Sequence, residues 1–83
     1  MYDVLFTFQS LTAAQRGQSV CRHHGISAAV IRAPVGLSAN GCGFALRVSG
    51  EYAGQVSMVL RLESIRFTGA YRLNGNRAEE VAL

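Results

Sequence analysis

Apolar and polar positions divide the chain into alternating strand-like and helix-like runs. Tyr2-Asp3-Val4-Leu5-Phe6-Thr7-Phe8 is rich in aromatic and β-branched residues and apolar on both faces near its middle, which predicts a strand inside a sheet. Ser10 then offers an N-cap, and Leu11 to His24 reads as a helix closed by Gly25 at the C′ position. Leu11, Ala14, Gly17 or Gln18, and Cys21 form its inward stripe. A second strand runs from Ser27 to Arg32 and is ended by Pro34. Val35 to Gly41 is dense in turn-forming residues and reads as a loop, and Phe44 to Val48 reads as a third strand. Glu51 to Glu63 is helical, with Tyr52, Val56, Val59 and Leu60 turned inward, and Arg66 to Leu73 is the last strand.

The order β-α-β-β-α-β predicts an α+β fold of ferredoxin-like type: two split βαβ units, a four-stranded antiparallel sheet and both helices on one face. The right-handed crossover rule leaves few competing topologies. A single domain over residues 1–73 is expected, with 74–83 a loose tail opened by the turn signal Asn74-Gly75-Asn76. This fold hosts metal carriers, regulatory domains, RNA binders and enzymes, so function must come from the site.

Composition narrows the classes. Eighty-three residues, 49% of them hydrophobic and 16% charged, suit one small domain with a thin core and exclude disorder over the whole length. No apolar run reaches the roughly 18–20 residues that span a bilayer, and the reading is a cytoplasmic chain with no membrane partner. The net charge is +3, and all eight basic residues are arginines, scattered rather than gathered into a phosphate-tracking stripe, so no nucleic-acid partner is expected. The two cysteines, Cys21 and Cys42, are read as reduced thiols.

Cys42 is the residue with the most chemical content. It sits between Gly41 and Gly43, just before Phe44, where backbone amides can approach a thiolate without Cβ obstruction and favour the anion. Arg32 and Arg47, read as lying at strand ends near this loop, would add positive potential. The competing reading is that Cys42 is a small buried hydrophobe at the start of a strand, and spacing leaves both open. Cys21, on the apolar face of the first helix, is read as core. His23 and His24 near that helix's C-terminus complement its dipole, and Cys-x-His-His matches no closed zinc pattern, so no metal site is expected.

Pro34, Ser38 and Cys42-Gly43, followed by Phe44-Ala45-Leu46-Arg47-Val48, resemble the signature of the selenium/sulfur carrier protein-like family of small bacterial proteins. Phe6-Thr7-Phe8-Gln9-Ser10 and His24-Gly25-Ile26 extend the resemblance over almost the whole ordered length. Val35 stands where the family usually has a basic residue, and Gly41 is an extra glycine before the cysteine. The resemblance implies that Cys42 accepts sulfur or selenium as a persulfide or selenosulfide and relays it to an acceptor. The chain would be a carrier rather than an enzyme, with donor and acceptor proteins as partners and no cofactor.

A second class of function stays in view: a non-catalytic ligand-binding, regulatory or dimerisation module, with Cys42 incidental. The apolar runs Val4-Leu5-Phe6 and Phe44-Ala45-Leu46 would leave a sheet face that a second copy could cover, giving a homodimer. The five acidic residues form no pair placed for acid–base work, and Gly41-Cys42-Gly43 lacks the residues of a phosphate loop. The phenylalanines lack the basic motif of an RNA-binding sheet.

Overall fold

The computed structural model describes residues 2–34, 43–75 and 77–83. Its elements are β1 (Asp3–Thr7), α1 (Leu11–His23), β2 (Ala28–Arg32), β3 (Phe44–Ser49), α2 (Ala53–Leu62), β4 (Gly69–Asn74) and β5 (Arg77–Glu80). The fold is α+β, with two helices and an antiparallel sheet, as the pattern predicts. The sheet, however, has five strands in the order β2-β3-β1-β4-β5, and so departs from the simple four-stranded ferredoxin-like arrangement.

The fifth strand corrects the expected loose tail. β5 folds back on β4 in register Arg72↔Glu79 and Leu73↔Ala78, and the Arg72 guanidinium meets the Glu79 carboxylate at 3.0 Å. Beyond it, the Val81 N–H donates to the Ala70 carbonyl at 2.9 Å, and Val81 and Leu83 pack against the core. Arg-Ala-Glu-Glu reads as a solvated run because it is an edge strand held by its neighbour, and charge on an edge also discourages pairing with other chains.

Both helices end by the same device, and α1 is capped at its start as well. Ser10 has extended backbone, and its Oγ accepts the Ala13 N–H at 3.0 Å, capping α1. At the other end Gly25 takes φ +73°, its N–H donates to the Arg22 carbonyl, and the Ile26 N–H reaches back to Cys21. This is a Schellman ending, with Ile26 buried beneath it. α2 ends likewise: the Ser64 N–H donates to Arg61 and the Ile65 N–H to Leu60, with Ile65 buried. Here the left-handed position is a serine, at φ +58°.

Strand alternation sorts the side chains. Val4, Phe6, Leu46, Val48 and Ala70 join Ala14 and Cys21 of α1 and Val56 and Leu60 of α2 in one core. Phe67 meets Phe6 edge-to-face, centroids 4.9 Å apart, tying the α2–β4 connection to the central strand. The opposite face mixes Ala29, Ile31 and Leu73 with Arg47 and Tyr71, while Leu5 and Ala45 beneath are fully buried.

Two expected inward residues are exposed. Leu11 heads α1 in its first turn, and Tyr52 belongs to a 3₁₀ turn, Gly50–Tyr52, that precedes α2. β4 begins at Gly69 rather than Arg66, because residues 63–68 are used to turn the chain out of α2.

Candidate functional site

One end of the sheet gathers the chemistry. Thr7 closes β1 opposite Ala45 and Gly69, so β3 and β4 begin side by side with the end of β1. β2 ends there too, with Arg32 opposite Phe44. The Ala33 N–H donates to the Gly43 carbonyl at 2.8 Å, joining the two residues that flank 34–42. Cys42 and Gly41 lie outside the described residues.

Gly43 takes φ +87°, a left-handed conformation that an L side chain adopts only at a cost. Phe44 is half-buried, with the Arg32 guanidinium 5.4 Å from its ring centroid. Arg32, Phe44 and Gly43 therefore stand together where the chain re-enters the sheet.

Arg47 does not join them. It is the fourth residue of β3, on the face away from the helices, and its Nη2 lies 2.5 Å from the Asp3 carboxylate. Its expected place at a strand end is corrected by the period of two along β3, which puts Arg47 on the opposite face from Phe44 and about 10 Å along the strand.

Cys21 is fully buried against the sheet, and burial pushes its thiol above the usual range by penalising the thiolate. It is a poor nucleophile in the folded chain. His23 and His24 are exposed, and the His23 Nδ1–H donates to the Ser19 carbonyl at 2.9 Å. Neither imidazole shares Cys21's interior.

A cluster that sequence spacing does not signal lies at the same end. Arg16 of α1, Arg61 of α2 and Arg66 of the α2–β4 connection surround Phe67, lining two adjoining recesses of about 550 and 460 Å³. Arg61 sits over the Phe67 ring at 5.8 Å and also donates to the Leu83 main-chain oxygen. Arg16 is remote in sequence from Arg61 and Arg66, and the pairing of β1 with β4 sets α1 beside the end of α2 and the α2–β4 connection that carry them.

Residues 3–72 match the family model described as "Putative Se/S carrier protein-like". The chain belongs to that family. The match runs from the first residue of β1 into β4, includes the segment carrying Cys42, and leaves β5 outside. The family description names a carrier of selenium or sulfur, which implies a donor and an acceptor and is consistent with a non-catalytic role. No curated protein and no solved structure matches the chain. Among the described residues, no helix is long and apolar enough to cross a membrane.

Proposed function

We propose that the protein carries sulfur or selenium on Cys42 and relays it between a donor and an acceptor protein. The observation that carries this reading is membership of the carrier-like family over a span that includes Cys42. Cys21, the other thiol, is supported as structural by its complete burial and raised thiol pKa. The residue after Cys42 is a glycine with left-handed backbone and no Cβ, which favours the reading that main-chain amides can approach a thiolate there.

The relay is a pair of balanced thiol exchanges. The Cys42 thiolate attacks the outer sulfur of a donor persulfide. A new S–S bond forms to Cys42, the donor's own S–S bond breaks, and the donor cysteine leaves as a thiolate. In the second step an acceptor nucleophile attacks the outer sulfur of the Cys42 persulfide, and Cys42 departs as a thiolate. No net oxidation occurs, because the sulfane sulfur moves at constant oxidation state. Selenium in the outer position follows the same sequence. Cys42 must be a free thiol between cycles, a condition that a reducing cytoplasm supplies.

The deciding experiment is intact-protein and peptide mass spectrometry after incubation with a cysteine desulfurase and cysteine. Wild type is run beside Cys42→Ser and Cys21→Ala. The expected result is a gain of one sulfur on Cys42, retained in Cys21→Ala and abolished in Cys42→Ser. No adduct, or equal labelling of both thiols, would remove Cys42's special status and favour the non-catalytic binding or regulatory module.

A further inference from the structure

The arginine-lined recess is not accounted for by sulfur relay, and it has the make-up of a ligand site. The larger cavity, about 550 Å³, is lined by Arg16 and Arg66 together with Gln9, Ser10, Thr68 and the Phe67 ring. Among the described residues, neither Arg16 nor Arg66 has an acidic partner. The two ion pairs found engage Arg47 with Asp3 and Arg72 with Glu79. No acidic residue lines this recess or the adjoining one, and Glu63, next in sequence to Ser64, lines a separate groove with His23 and His24.

Two unpaired guanidinium groups beside one concave surface repel each other unless an anion lies between them. Planar guanidinium forks match carboxylate and phosphate oxygens in a bidentate way. Gln9 and Ser10 add neutral donors, and Phe67, held edge-to-face by Phe6, gives the recess a fixed apolar wall. From these features we infer that the recess between α1 and the α2–β4 connection binds an oxyanion, a carboxylate or phosphate group, through Arg16 and Arg66.

The site lies at the same end of the sheet as Ala33 and Gly43, the described residues on either side of the segment that carries Cys42. β3 and β4 flank β1, so their starts are two strand spacings, about 10 Å, apart. An anionic group seated by Arg16 and Arg66 would thus occupy the end of the sheet at which the chain leaves and re-enters around Cys42. The oxyanion site is nonetheless independent of any chemistry at Cys42.

The test is an NMR titration of the ¹⁵N-labelled full chain at constant ionic strength, following backbone amides and arginine Nε–Hε signals. Inorganic phosphate and succinate are titrated separately, with chloride as the control. Saturable shifts are expected at Arg16, Arg66, Ser10 and Thr68, absent with chloride. Arg16→Gln and Arg66→Gln should each weaken binding about five- to tenfold, the loss of one charge-assisted contact partly screened by solvent. Arg77→Gln, on β5, should change nothing, and Cys42→Ser should bind as wild type does. A preference for phosphate or for succinate assigns the ligand's anionic group. Shifts that fail to saturate, that chloride reproduces, or that persist in both arginine variants would overturn the site. Because Cys42→Ser retains the binding, failure here leaves the carrier reading untouched, and the reverse also holds.

Discussion

The Ala33 N–H and the Gly43 carbonyl meet at 2.8 Å, one step beyond the Arg32↔Phe44 pair that ends the β2–β3 ladder. The chain thus departs from the sheet and rejoins it at a single point, with Cys42 bonded directly to the residue that closes the gap. At that residue φ is +87°, and a Cβ there would meet nothing within 4 Å. Any penalty for adding one comes from the backbone, not from crowding.

Gly43→Ala is accordingly expected to destabilise the protein by about 1–2 kcal/mol, the cost of holding an alanine left-handed. Its effect on Cys42 should be separable. If the left-handed turn orients the loop, iodoacetamide labelling of Cys42 in the folded variant should change in rate. Urea denaturation showing no loss of stability would mean that the turn relaxes freely, and that Gly43 is not needed for its conformation.

Arg32 and Arg47 should behave oppositely. Arg32 is at the loop end and over Phe44, whereas Arg47 is turned away and paired with Asp3. Arg32→Gln should slow alkylation of Cys42 at neutral pH by about two- to fivefold, the effect of a fraction of a pKa unit on thiolate population. Arg47→Gln should leave that rate alone. The Asp3–Arg47 pair is half-exposed, and its double-mutant coupling should fall below about 1 kcal/mol. Equal slowing by both variants would show that only the overall net charge matters.

These contrasts show where the sequence is informative. Ser10 and Gly25 bracket α1 because capping is local chemistry, legible in four or five residues. The β-α-β-β-α-β order is legible for the same reason. Arg47 is misplaced when its distance from the loop is counted along the chain and the two-residue strand period is left out. β5 is hidden because its residues are charged, and its stability comes from β4 and from Val81 and Leu83 packing on the core. The Arg16–Arg66 recess is invisible to spacing altogether, since it exists only once β1 and β4 are neighbours.

Cys21 makes stability depend on alkaline pH. Burial raises its thiol pKa in the folded chain, whereas the unfolded chain ionises near the ordinary value of 9.0. Above that pH the unfolded state binds fewer protons than the folded state, so stability falls as pH rises towards the folded pKa. The contribution is fully present below about pH 9. Urea denaturation from pH 8 to 10.5 should show wild type losing stability faster than Cys21→Ala, by up to about 1.4 kcal/mol per pH unit. Parallel curves would place the thiol in water in the folded state, against its burial.

The two Schellman endings permit a prediction with its own control. Gly25 and Ser64 occupy equivalent positions after α1 and α2, at φ +73° and +58°, each followed by a buried isoleucine. Glycine accepts this conformation without a Cβ clash, and serine does not, at a cost of roughly 1–2 kcal/mol. Ser64→Gly removes that cost but makes the unfolded chain more flexible, which offsets part of the gain. The net expectation is a stabilisation of about 0.5–1 kcal/mol, or a rise in Tm of roughly 2–8 °C for a domain of this size. Gly25→Ser should lose about as much as Ser64→Gly gains. Ser64 also lines both arginine recesses, so the variant has a second readout. If the side chain serves only the turn, phosphate binding is unchanged as Tm rises. If Ser64→Gly instead lowers Tm, the serine hydroxyl contributes more than its backbone strain removes, and a role at the recess becomes the explanation to test.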